Sequence, residues 1–219
     1  PGYEVSVELM MMTEDKREVT LASALNEVGD VPIPPYLNRS TIAEDKSNYQ
    51  TVYADSRHTG SVAAPTAGLH FSEQILTDLR LKKGVTICDS LSLHVGAGTF
   101  KPVVSDCISE HDMHSESFSA SRKDLSTIAA ASKAGSSNII CVGTTSVRLV
   151  ESLYWCGVRG MVAASTQEEE DASSRGRLEL GQWEVYDIQR SWGKRYPKRE
   201  LPSLAESYEY LLATHLAGG

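Results

Sequence analysis

The 219-residue chain carries 29 acidic and 21 basic residues, a net charge of −8, and is 41% hydrophobic, 23% charged and 7% aromatic. That is an ordinary globular composition, enough to bury a core as one large or two small domains. The acidic balance speaks against a nonspecific nucleic-acid binder with a basic face, and no apolar run approaches the roughly 18 residues that span a bilayer.

In chain order, Tyr3 to Met12 alternate and then turn apolar, which predicts a strand, and Thr13 to Arg17 form a polar turn. Thr20 can cap a short helix through Val28, ended by Gly29. Val31-Pro-Ile-Pro-Pro-Tyr-Leu-Asn-Arg39 cannot be helix or central strand, because its three prolines remove donors and hold the chain extended. That stiff segment presents Tyr36 and Arg39 with little entropy left to lose.

Ser72 is a good N-cap. Phe71 and Leu76 match a hydrophobic staple, Ile75, Leu76 and Leu79 make an apolar face, and Gly84 closes the helix. Val85 to Val95 reads as strand with a break at Asp89-Ser90. Leu91, Leu93 and Val95 face one side, so Ser92 and His94 face the other, toward solvent or a cleft.

Ser121 to Lys133 is predicted as a surface helix ended near Gly135, and Asn138 to Val142 as a short buried strand. Thr144 to Cys156 makes a helix with Val147, Val150 and Tyr154 on one stripe, stopped by Gly157. Met161 to Gly181 is polar and acidic and reads as a mobile loop, Trp183 to Ile188 as a strand, and Ser203 to Leu216 as a helix. Strands alternating with helices favour an α/β fold.

Cys88, Cys107, Cys141 and Cys156 contain no Cys-x-x-Cys pair, which favours structural thiols in a reducing compartment over disulfides or zinc. The chain opens at Pro1, so a processed or truncated N-terminus is expected.

Three segments carry candidate chemistry. Gly60-Ser-Val-Ala-Ala-Pro-Thr-Ala-Gly-Leu-His70-Phe71 and Leu91-Ser-Leu-His94-Val-Gly-Ala-Gly-Thr-Phe-Lys-Pro102 each set a histidine beside residues small enough for backbone to approach a ligand. Gly143-Thr-Thr-Ser-Val-Arg148 follows an apolar stretch and opens a helix. Its unpaired N–H groups and about half a positive charge suit carboxylate or phosphate, although an ordinary capped helix has the same look. His94 is the stronger histidine, since Gly96 and Gly98 leave room in front of it.

Glu110-His111-Asp-Met-His114-Ser-Glu116 mixes metal-capable side chains, but a bare His-x-x-His is common by chance, and hydrogen bonding to a polar substrate is preferred to metal. Trp192-Gly-Lys-Arg-Tyr-Pro-Lys-Arg199 interleaves aromatics with bases in a way that suits RNA, though a solvated basic loop is the commoner explanation.

The order of Val31–Arg39, Tyr49-Gln-Thr-Val-Tyr53, Gly60–Phe71, Leu93-His-Val-Gly-Ala-Gly-Thr-Phe100, His111-Asp-Met-His-Ser-Glu116 and Val142-Gly-Thr-Thr-Ser-Val-Arg148 resembles the S-adenosylmethionine:tRNA ribosyltransferase-isomerase family of queuosine biosynthesis. The likeness runs from about Thr20 to Gly157, with a looser echo at Gln182-Trp-Glu and in the last helix. It implies transfer and isomerisation of the ribosyl part of S-adenosylmethionine onto the 7-aminomethyl-7-deazaguanine of tRNA, giving epoxyqueuosine, adenine and methionine. S-adenosylmethionine is then a consumed co-substrate, with no cofactor and no metal.

The resemblance further implies a cytoplasmic monomer that takes tRNA and no membrane. It implies a mixed sheet with flanking helices, residues 1–18 as the remnant of an inserted β-barrel, and residues 19–219 as an incomplete α/β catalytic domain with the acidic loop at 161–181. Family members run beyond this chain at both ends. Imidazoles suit the acid and base such a reaction needs, with His94 and His70 first and His114 in reserve. Substrate binding is expected at Tyr36, Arg39, Tyr53, Thr66, Gly68, Gly96, Gly98, Thr144, Thr145, Ser146 and Arg148. The alternative is a non-catalytic remnant that binds nucleotide or tRNA; a methyltransferase is disfavoured by the missing Rossmann glycine loop.

Overall fold

A computed structural model describes residues 29–55, 61–88, 91–100, 104–135, 138–164 and 178–214. The expected strand at Tyr3–Met12, the helix from Thr20 to Val28 and the barrel remnant at 1–18 lie outside the described residues. The chain divides into two compact units, Pro1–Gln50 and Thr51–Gly219.

In the first unit, Pro34 leads into a 3₁₀ turn at Pro35–Leu37, closed by Asn38 in the left-handed region at φ 49°, which a short polar side chain tolerates. Arg39 then reaches Asp45 in a bidentate pair, Nη1 to Oδ2 and Nη2 to Oδ1, both at 2.7 Å. The Ile42 N–H donates to the same Oδ2 at 2.9 Å. Asp45 opens helix α1, Asp45–Asn48, and is buried. The Arg39 hydrogen bond, helped by the Ile42 N–H, pulls the Asp45 carboxyl from 3.8 to about 2.

The second unit is built around helices. Helix α2, Glu73–Leu81, is capped as its sequence predicts: Ser72 Oγ accepts the Ile75 N–H at 3.2 Å, and Leu76 is buried. Strand β1, Ser92–His94, pairs antiparallel with β2, Ser117–Ser119, in the register Ser92↔Ser119, Leu93↔Phe118 and His94↔Ser117. Leu93 and Phe118 pack on the core, so alternation turns His94 and Ser117 to the opposite face. Helix α3, Arg122–Ala134, is capped by Ser121, whose Oγ accepts the Asp124 N–H at 3.0 Å, and ends at Gly135 with φ 65°.

Helix α4, Thr144–Ala164, and helix α6, Leu204–Thr214, complete the core; α6 packs on both α3 and α4. Leu125, Ile128 and Ala129 of α3 meet Leu149, Leu153 and Cys156 of α4 and Tyr208 and Leu211 of α6. Tyr208 is fully buried, with its hydroxyl donating to the Val150 carbonyl at 3.0 Å. Burial pushes the Cys156 thiol up to about 11, as expected of a packing thiol; Cys107 is exposed and all four cysteines are free. A second cluster joins Val158 of α4 to Ile188 and Trp192 of helix α5, Glu184–Arg195.

Helices with a small antiparallel sheet are compatible with the α/β class, but three predicted elements differ. Trp183–Ile188 is not a strand: Glu184, Ile188 and Trp192 recur every four residues and turn one stripe of α5 toward α4. Asn138–Val142 forms no strand, and Ile140 is 83% exposed. Among the described residues of Val85–Val95, only Ser92–His94 is strand.

Gly157 does not stop α4 either. The helix runs on to Ala164, and a Cβ at position 157 would lie 2.6 Å from the Ser207 carbonyl oxygen, so glycine is what lets α6 come this close. Met161–Ala164 belongs to the same helix, and the acidic stretch 165–177 lies outside the described residues. Among the described residues no helix is long and apolar enough to cross a membrane.

Gly157→Ala should separate α4 from α6 and lower stability by about 1–3 kcal/mol, the usual overpacking penalty, read from the shift of the urea midpoint. Asp45 supplies a second test. Its folded pKa lies below the unfolded value, so the stability it contributes is present above pH 3.8 and is lost as pH falls through about 2. A carboxyl ¹³C titration of Asp45 should show that low midpoint, and Arg39→Gln should return it toward the ordinary range.

Candidate active site

Three segments of the second unit are drawn together. Val62 N–H donates to the Val95 carbonyl at 2.8 Å and Ser61 Oγ accepts the Val95 N–H at 3.2 Å, which pins the first glycine-rich stretch to the second. Pro65 then leads into a 3₁₀ turn, Thr66–Gly68. Ala67 of this turn sits against Gly143, whose φ is 87° and whose missing Cβ would be 3.0 Å from the Ala67 methyl. The glycine therefore serves two needs at the start of α4, a positive φ and a close approach.

Gly68 is buried under Tyr53: a side chain there would collide with the Tyr53 hydroxyl. Partial burial raises the Tyr53 phenol above 10.0, against an opposite pull from its hydrogen bond with Thr51.

The densest polar contacts lie where β1 ends and β2 begins. Glu116 Oε1 accepts the Gly96 N–H at 3.3 Å and stands 3.2 Å from His114 Nε2. Its Oε2 accepts from Arg148 Nη1 at 2.7 Å, and Arg148 Nη2 donates to the His114 carbonyl at 2.9 Å. The Glu116 side chain is only 6% exposed, against 27% for His114 and 37% for Arg148. Gly98 lies flat on the imidazole: a Cβ there would be 2.6 Å from Nδ1 and 2.8 Å from the His114 Cβ.

The loop bearing His114 is held from behind. Gln182 Oε1 accepts the Met113 N–H at 3.0 Å, and Gln182 Nε2 donates to the His111 carbonyl at 2.7 Å.

Of the residues expected from sequence, His114, Gly96, Gly98 and Arg148 share this network, and Thr66, Gly68 and Tyr53 share the neighbouring turn. Ser146 Oγ donates to the Val142 carbonyl at 2.9 Å, bracing the helix start, while Thr144 is exposed and Thr145 partly buried. His94 is half-buried in the strand pair, and His70 is exposed after the 3₁₀ turn. Tyr36 and Arg39 belong to the first unit; Tyr36 is exposed, and the Arg39 guanidinium is occupied by Asp45.

Glu116 and Gln182 are the contributors that sequence reading did not single out. The signal for Glu116 was its place two residues after His114, which in extended chain puts both side chains on one side. Among the described residues no three His, Cys, Asp or Glu side chains gather as metal donors would.

Within Trp192–Arg199, Trp192 is buried, Tyr196 is partly buried and the four bases are exposed. Trp192 Nε1 donates to the Glu200 carbonyl at 3.0 Å, and the Arg199 guanidinium lies over the Trp192 and Tyr196 rings, 5.5 and 5.8 Å from their centroids. Those two aromatics are engaged within the fold and are not an open RNA-stacking platform.

The family model described as queuosine biosynthesis protein matches residues 3–174. The chain belongs to that family. It is 48% identical over 137 residues to the S-adenosylmethionine:tRNA ribosyltransferase-isomerase of Legionella pneumophila strain Lens, covering 63% of this chain and 39% of that protein. It is 50% identical over 128 residues to the protein of the same name from strain Philadelphia 1, covering 58% and 36%. The chain thus spans less than half the length of these curated relatives. No solved structure matches it.

In this queuosine-family chain Gly98→Ala should push the His114 ring out of its seat while leaving the helical core intact. The expected result is unchanged far-UV circular dichroism and a changed chemical shift for the His114 ring protons.

Proposed function

We propose that the chain is part of a ribosyltransferase-isomerase that moves the ribosyl group of S-adenosylmethionine onto the 7-aminomethyl-7-deazaguanine of tRNA, releasing adenine and methionine. Its partners on this reading are tRNA and S-adenosylmethionine, with the latter consumed and no resident cofactor or metal; the protein acts as a cytoplasmic monomer. Residues 1–18 are the remnant of the inserted barrel, and residues 19–219 are the incomplete catalytic domain. The observation that carries the proposal is the meeting of the glycine-rich segments and the start of α4 around His114, Glu116 and Arg148, in a chain of this family.

The reaction needs a base to take a proton next to the sulfonium and an acid to help adenine leave. His114 suits the base: its ring is partly exposed, held at Nε2 by Glu116 and closely approached by Gly98. His94, on the strand that runs into Gly96 and Gly98, and His70 are the candidates for the acid.

Arg148 has both terminal nitrogens engaged, so it supports the histidine loop and leaves anion binding to the start of α4. There the first-turn N–H groups, Thr144 and Thr145 can receive the methionine carboxylate or a tRNA phosphate. Tyr36 and Tyr53 offer faces to a base or to the sulfonium.

Incubating the chain with S-adenosylmethionine and precursor tRNA should release adenine and methionine in equal amounts, and His114→Gln should lower that rate by about 100-fold or more. Binding of tRNA without adenine release would instead identify a non-catalytic remnant. Methylated product without adenine would overturn the proposal.

A further inference from the structure

His114 can act as a base through either ring nitrogen, and its neighbours decide which. An imidazole has two neutral tautomers, selected by the hydrogen bond on the other nitrogen. Here Nε2 faces Glu116 Oε1 at 3.2 Å, while Oε2 of the same carboxylate is paired with Arg148 at 2.7 Å. Paired with a guanidinium, the carboxylate only accepts. Nε2 must therefore donate, which leaves Nδ1 bare in the neutral ring. Nδ1 is also the nitrogen nearest Gly98, whose missing side chain lets the backbone come up to the ring: a Cβ there would be 2.6 Å from Nδ1.

The carboxylate is held on all sides that matter. Gly96 N–H occupies Oε1 together with the imidazole, and Arg148 bridges Oε2 to the His114 carbonyl, so ring and backbone of one residue are tied to one acid. With its side chain 6% exposed, Glu116 has little room for another rotamer. It meets the ring at Nε2, whereas Gly98 approaches Nδ1 and Cγ.

We propose that Glu116 is a positioning residue that fixes His114 in the Nε2–H tautomer, making Nδ1, at Gly98, the nitrogen that takes the proton. The inference rests on His114 being the base of the proposed reaction.

Glu116→Gln tests it with little change of shape. The charged Arg148 claims the amide oxygen at the shorter contact, so the amide NH₂ takes the Oε1 position, gives up the Gly96 N–H and faces Nε2, favouring the opposite tautomer. In the ¹⁵N-histidine-labelled chain with the ring neutral, long-range ¹H–¹⁵N correlation should show a protonated Nε2 and a bare Nδ1. The signals are assigned by their loss in His114→Gln. In Glu116→Gln the two nitrogens should exchange character, whereas Glu116→Asp, which keeps a carboxylate, should retain the wild-type pattern.

Turnover should follow the tautomer. Adenine release by Glu116→Gln should have a kcat lower by about 100-fold or more, with KM for S-adenosylmethionine within about threefold, and Glu116→Asp should recover part of the rate. A wild-type ring protonated at Nδ1, or a Glu116→Gln ring with unchanged tautomer, would overturn the inference, as would full activity of that variant. If the wild-type chain releases no adenine, the proposed function fails, while the wild-type spectrum still decides the tautomer.

Discussion

A carboxylate withdrawn from water must be surrounded by donors, because its desolvation otherwise costs on the order of several kcal/mol. Glu116 meets that demand with groups from three places in the chain: the Gly96 N–H after β1, the His114 imidazole two residues away, and the Arg148 guanidinium on α4. Satisfying one acid therefore sets the strand end, the histidine loop and the helix in a single arrangement. The glycines then follow as a steric requirement, since Gly98 must lie against the ring this arrangement positions.

Helix limits set by local chemistry were legible in the sequence. Ser72 caps the helix it was expected to cap, Ser121 caps the helix predicted to begin there, and Gly135 ends α3 in a left-handed conformation. Elements decided by distant partners were not. The stripe Glu184, Ile188 and Trp192 becomes meaningful only when Val158 is across from it, and short runs such as Val185-Tyr-Asp-Ile188 look equally like strand. Gly157 carries the commonest helix-stop residue, yet Ser207, fifty residues later, needs that position empty.

The site divides in the same way. Small residues, histidines and a hydroxyl-rich helix start announce themselves along the chain, and Gly96, Gly98, His114 and Arg148 were named from such signs. Pairing is a property of the fold: Glu116 and Arg148 stand 32 positions apart, and no local pattern says that an arginine in a first turn will be used up by an acid. In Trp192–Arg199, where a solvated basic loop was preferred to RNA stacking, the four bases are exposed, and Trp192 gives its indole N–H to Glu200 and a ring face to Arg199.

The two glycines within α4 have a consequence for the order of assembly. Gly157 and Gly160 admit Ser207 and Tyr210, whose hydroxyls donate to the Tyr154 and Gly160 carbonyls at 2.6 and 2.9 Å. In an undocked helix each glycine instead weakens the coil-to-helix equilibrium by about 1 kcal/mol relative to alanine. The segment that bears Arg148 is thus intrinsically hesitant as a helix until α6 packs on it, so the docking of α6 and the guanidinium clasp on the histidine loop are coupled through one helix.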